Sequence, residues 1–160
     1  MEPYALTSAA LHEPWRLWTC HVAHFDWTHA LANGVALIVP LWLAHRVDRG
    51  RLALALILGA PLLSLLLMPG LGDAEYRGAS GLACTLWALV GLRLAGRPAS
   101  ASIGLLLLGG LAVKLGAESM LSTSFIVHPE GWCSLPAAHL WGAFLGLAFA
   151  LPPRLQLRHA

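Results

Sequence analysis

Residues 52–69 read LALALILGAPLLSLLLMP, a run of eighteen positions without a charge. Coiled into a helix at 1.5 Å per residue, it is about 27 Å long, enough to cross a thin bilayer or a thicker one at a tilt. Four further apolar windows surround it, at about 27–44, 79–96, 102–120 and 135–152. Polar punctuation divides them: His45 to Arg51 with three arginines, Gly70 to Glu75, Gly96-Arg97-Pro98, and a Ser/Thr/His/Pro stretch over 122–134. The pattern predicts an all-α polytopic membrane protein with five visible spans.

The composition agrees. The 160 residues are one domain's worth of chain, 58% apolar and only 11% charged, against roughly 25% charged in a soluble domain. Such a chain is not disordered, a coiled coil or a disulfide scaffold. Ten Lys and Arg against eight Asp and Glu leave +2, too little to suggest a nucleic-acid partner. The first 25 residues are polar and aromatic, unlike a secretory signal peptide.

Basic residues set the expected orientation. Arg46, Arg49, Arg51, Arg93, Arg97, Arg154 and Arg158, seven of the ten, fall on alternate loops and mark the cytoplasmic side. The N-terminal segment (1–26) and the loops around Asp73–Arg77 and 122–134 are then external, and 153–160 is a cytoplasmic tail. With five spans, the N-terminal segment must cross without a span ahead of it, an awkward arrangement.

Polar groups inside a bilayer are costly and mark candidate functional sites. His29 and Asn33 lie in the first window, Ser80 in the third, Lys114 and Glu118 in the fourth, and His139 in the fifth. Windows one, three and five run the same way, and His29, Ser80 and His139 each sit within about the first turn. Three helices thus bring them to one depth, near the outer face. His29 and Asn33, four apart, share a helix face. Ser80 lies in Gly78-Ala79-Ser80-Gly81 at a helix start, where free N–H groups and positive potential suit an oxyanion. His139 is the base such a serine needs, with His29 and Asn33 as further oxyanion donors. Gly142 and Gly146 form a small-three-small pattern that lets the fifth span approach the third. Each feature alone reads as well as packing or helix–helix hydrogen bonding; their coincidence at one depth favours a serine hydrolase dyad.

These motifs resemble the rhomboid family of intramembrane serine proteases. Glu13-x-Trp15-Arg16 resembles the Trp-Arg motif of its first external loop. His24, His29 and Asn33 match its His-x4-His-x3-Asn spacing, Gly78-Ala79-Ser80-Gly81 its nucleophile motif, and Ala138-His139-x-x-Gly142-x-x-x-Gly146 its catalytic-histidine helix. The resemblance covers roughly 13–152 and implies a rhomboid-like helical bundle cutting membrane-anchored proteins. It needs no cofactor or metal. Its partners would be the lipid bilayer and substrates with a C-terminal transmembrane tail. The string from Tyr76 to Leu82 and the small size are closer to the rhombosortase subgroup. That subgroup implies a multi-pass protein of the bacterial inner membrane, with its site facing the periplasm, acting on C-terminal Gly-Gly-type sorting tails of secreted proteins. The family core has six spans, and the one ahead of the Trp-Arg loop is expected to be missing here, by a late start codon or truncation. The tyrosine that many members carry one turn after the serine is Cys84 in this chain.

The remaining polar residues receive simpler readings. Lys114 and Glu118, spaced i,i+4, are expected to form an intrahelical ion pair. Arg16 anchors the external loop or meets lipid phosphates. Trp15, Trp18, Trp27 and Trp132 read as interface residues, and Trp42, Trp87 and Trp141 as packing residues. His21, His24 and His29 lack the carboxylate cluster of a metal site. Cys20 or Cys84 could pair with Cys133, or all three thiols could be free; spacing does not choose. The competing classes are an inactive rhomboid-like chaperone or binding protein, which usually lacks the Ser or His, and a small haem-binding carrier, suggested only by eight histidines.

Overall fold

Each of the five apolar windows carries helix. The structure is a computed structural model that describes residues 3–47, 49–121 and 135–151. A short α1 (Arg16–Thr19) precedes α2 (Trp27–Leu43), α3 (Arg49–Ile57), α4 (Gly59–Leu71), α5 (Ser80–Ala95), α6 (Ala101–Leu121) and α7 (Pro136–Ala150). Helices α3 and α4 join at Leu58 into one rod, Arg49–Leu71; this rod and Pro98–Met120 are each 23 residues and apolar enough to cross a membrane. Helices α2, α5 and α7 are shorter, at 17, 16 and 15 residues.

Helix α5 is the centre of the bundle, buried along most of its length and packed most extensively on α7 and α6. Glycine permits the closest approaches. Gly142 lies on the Gly81 backbone and Gly146 on the Thr85 backbone, where a Cβ would overlap the carbonyl oxygen in each case. The pairs advance by four residues in the same sense, so α5 and α7 run parallel. On the opposite flank, Gly104 meets the backbone of Ala95 and Gly91, and Gly91 meets Leu107 and Leu108. That order runs backwards, so α6 is antiparallel to α5.

Two tryptophans repair helix hydrogen bonds that prolines remove. A proline has no N–H for the carbonyl four residues earlier. Pro40 therefore leaves the Ala36 carbonyl without its helical donor, and Pro61 does the same to Ile57. The Trp87 indole N–H donates to the Ala36 carbonyl at 2.8 Å, joining α5 to α2. The Trp18 indole N–H donates to the Ile57 carbonyl at 3.2 Å, joining the N-terminal segment to the long rod. In a dry setting such donors replace the water an exposed carbonyl would otherwise find.

The N-terminal segment is tied down on the same end of the bundle as the start of α5. Leu6 and Tyr76 exchange both backbone hydrogen bonds at 3.0 Å, and the Gly78 N–H donates to the Cys20 carbonyl at 2.8 Å. Arg16 is buried, pairs with Glu13 and donates to the Ala5 carbonyl at 2.8 Å. Of its two expected roles, it performs the anchoring one. His21 bonds the Ala60 carbonyl and the Ser64 hydroxyl of α4 at 2.9 and 3.0 Å. At the other end, Arg51 donates to the carbonyls of Phe149 and Leu151 where α7 stops, and Arg97 donates to the Arg46 carbonyl. Cations there complement the negative end of the α7 dipole.

The outer surface is apolar. Leu31, Val35, Ile38, Ile57, Leu105 and Val113 are each more than half exposed, a surface that calls for lipid rather than water. Trp42, at 67% exposure, and Trp141, at 39%, lie on this surface. This corrects the expectation that both are packing residues: a large part of each side chain is exposed. Trp87 packs as expected, and Trp132 lies outside the described residues.

Candidate active site

Helix α2 starts at Asp26, whose carboxylate accepts from the His29 backbone N–H at 2.7 Å and from the Thr28 hydroxyl at 2.6 Å. This side-chain cap fixes where the helix begins and so which way His29 projects. One turn on, the Asn33 amide donates to the His29 carbonyl at 3.0 Å, and both side chains are buried. The His24 ring meets the His29 ring edge-on at 5.0 Å, and Phe25 stacks on its other side at 5.8 Å. Trp15 is half-exposed.

Against His29 and Asn33 lies Gly78. Its φ of +116° belongs to a region that side chains avoid. A Cβ there would also stand 2.7 Å from His29 Nε2 and 3.2 Å from Asn33 Nδ2. Both demands call for glycine. The close approach puts the two side-chain donors beside the turn that leads into Ser80, the first residue of α5. The backbone N–H groups of that first turn have no intrahelical partners. Tyr76 braces the turn: its hydroxyl donates to the Gly78 carbonyl at 2.8 Å. Burial holds the phenol far above its ordinary range.

His139 enters from α7. It lies one turn before Gly142, and Gly142 rests on Gly81, the neighbour of Ser80. The parallel packing thus puts the first turns of α5 and α7 side by side, with α2's first turn across from them. Among the described residues no hydrogen bond joins Ser80 to His139. The imidazole is buried and bonded elsewhere: its Nδ1 lies 2.7 Å from Glu118 Oε2 and 3.0 Å from Lys114 Nζ.

That link was not read from the sequence. The Lys114–Glu118 pair is present as expected, at 2.6 Å, but Glu118 turns its second oxygen to His139. The available signal was the i,i+4 pair itself, which gives no sign of what the other oxygen meets. The antiparallel crossing of α6 over α5 and α7 supplies that information. Cys84 occupies the position one turn after Ser80 and is a buried thiol. Cys20 is also buried, and Cys133 lies outside the described residues together with any pairing to it.

Together these observations define a membrane protein of helical-bundle fold whose polar side chains converge at one end of three parallel helices. The chain matches the Rhomboid domain over residues 11–154, and it belongs to the rhomboid family. Proteins of this family are generally serine-type intramembrane proteases acting on membrane-embedded substrates. A search of curated proteins finds no match.

Proposed function

We propose that this chain is a serine-type intramembrane endopeptidase with Ser80 as nucleophile and His139 as general base and acid. The observation that carries the reading is the glycine-mediated convergence of three helix starts: Gly142 on Gly81 brings the His139 turn to the Ser80 turn, and Gly78 brings in His29 and Asn33. His139 takes the Ser80 proton as Ser80 Oγ attacks a peptide carbonyl. The oxyanion that forms accepts from the Ser80 N–H and from the His29 and Asn33 side chains. His139 then protonates the leaving amine, and water hydrolyses the acyl-enzyme. Before attack, a hydrogen bond from the Ser80 hydroxyl to His139 must form to complete the dyad. Hydrogen bonds in a resting site are often long and tighten only with substrate bound.

The site lies at the ends of the short helices, on the side opposite the arginine-rich loops. This supports access from the outer face of a bacterial inner membrane. A substrate helix must unwind there to present its carbonyl, and small residues such as glycine favour that. The string from Tyr76 to Leu82 supports a rhombosortase-type substrate: a secreted protein ending in a Gly-Gly motif, an apolar helix and a basic tail. The test is cleavage in proteoliposomes of a single-span substrate carrying that tail. The reading expects a cut near the Gly-Gly motif that is lost in Ser80→Ala. A substrate left intact by the wild-type protein, or cut equally by Ser80→Ala, would overturn it.

A further inference from the structure

We infer that Glu118, braced by Lys114, is a positioning residue that holds His139 in the tautomer able to accept a proton from Ser80; this rests on the dyad reading above. An imidazole Nδ1 carries either a hydrogen or a lone pair in the ring plane. Here it faces two candidates, Glu118 Oε2 at 2.7 Å and Lys114 Nζ at 3.0 Å. A lone pair on Nδ1 would face the oxygen lone pairs of a carboxylate at the shorter of the two distances. A hydrogen on Nδ1 makes a charge-assisted bond there. Lys114 has its own partner in Glu118 Oε1 at 2.6 Å, so the ammonium can direct its hydrogens to the carboxylate. The arrangement that the shortest Nδ1 contact favours is Nδ1–H to Glu118, which in the neutral ring leaves the lone pair on Nε2.

That arrangement does three things. The bond fixes the ring's rotation, because Glu118 is itself buried at 5% exposure and clamped by Lys114. It leaves Nε2 as the basic nitrogen, the one that the dyad reading assigns to the Ser80 proton. When the proton moves from Ser80 Oγ to Nε2, the imidazolium gains a carboxylate already in contact. The competing arrangement, Lys114 donating to Nδ1, would put the hydrogen on Nε2 and block general-base action.

The experiment uses the full chain in detergent micelles, with its histidines labelled with nitrogen-15. The His139 signals are assigned by their loss in His139→Gln. The inference expects a protonated Nδ1 and an unprotonated Nε2 in the wild type at pH 8. In Glu118→Gln, the Nε2–H tautomer should become populated. The rate of fluorophosphonate labelling at Ser80 should fall about 10²-fold or more in that variant, with partial recovery in Glu118→Asp. An Nε2–H signal in the wild type, or an unchanged labelling rate in folded Glu118→Gln, would overturn it. If the wild type shows no Ser80 labelling at all, the dyad reading falls, and the wild-type imidazole spectrum still decides whether Glu118 sets the tautomer.

Discussion

Gly142 of α7 rests directly on Gly81 of α5, with no room between the two backbones for a side chain. A Cβ on Gly142 would overlap the Gly81 carbonyl oxygen and stand 2.9 Å from its carbon. Because the obstacle is backbone, it cannot swing aside. Gly142→Ala must push α7 away from α5 and carry His139 away from Ser80. Overpacking of this kind costs about 1–3 kcal/mol. We expect Gly142→Ala to unfold at lower temperature in detergent and to lose activity. Gly109→Ala, in the interior of α6 at a site with nothing within 4 Å of the added carbon, should keep activity and be no less stable.

Gly78 makes a different demand. Its φ of +116° and its contact with His29 Nε2 both exclude a side chain. Gly78→Ala is expected to displace the turn ahead of Ser80 and weaken the oxyanion donors. The loss should appear in turnover rather than in substrate binding, which a kcat and KM determination on the proteoliposome substrate would separate. Equal activity in Gly78→Ala would show that the turn does not position the donors.

Asn33 and His29 serve as individual donors in this account. Removing one oxyanion donor costs on the order of 10²–10³ in rate. His29→Ala and Asn33→Ala should each fall by that range while remaining folded. Asn33→Ala removes one hydrogen bond among the described residues, that to the His29 carbonyl, so thermal unfolding should move far less than turnover. A variant losing stability but keeping its turnover would assign that side chain to packing.

His21 makes the anchoring of the N-terminal segment sensitive to acid. Burial pushes its pKa down from 6.5 to about 4. The unfolded chain therefore binds more protons than the folded one between those values. Stability rises with pH across that window and is complete above about pH 6.5; acidification from 6.5 toward 4 removes up to about 3 kcal/mol. Thermal unfolding across pH 4.5–7.5 should show this slope, and His21→Gln should flatten it. A slope of equal size in His21→Gln would place the titration elsewhere.

The Trp87–Ala36 bond can be isolated through Pro40. Trp87→Phe leaves the Ala36 carbonyl without a donor and should cost about 1–3 kcal/mol. Pro40→Ala restores a backbone N–H four residues on, so the same tryptophan substitution should cost less in that background. Unfolding of the two singles and the double variant gives the coupling. Strict additivity would mean the indole contributes only its packing.

The helices were legible because each spans a predominantly apolar window and because polar clusters divide the chain between them. The shared depth of His29, Ser80 and His139 was legible for the same reason, since each lies a countable distance from a helix start. What could not be read was lateral. The i,i+4 spacing of Lys114 and Glu118 fixes one neighbour and says nothing of the helix that α6 crosses, so the contact with His139 emerged only from the packing. Trp42 and Trp141 were misplaced for a related reason. Depth along a span does not reveal which flank of the helix meets a neighbour, and in a membrane an aromatic flank is as comfortable in lipid as in the core. The proline-freed carbonyls of Ala36 and Ile57 were implicit in the sequence, but their donors arrive from 51 and 39 residues away.

The most direct test of the central claim is to map a fluorophosphonate adduct by mass spectrometry in the folded protein. Phosphonylation is expected at Ser80, abolished in Ser80→Ala and slowed at least a hundredfold in His139→Ala. Folded wild-type protein that carries no adduct at Ser80, or His139→Ala that reacts at the wild-type rate, would contradict it.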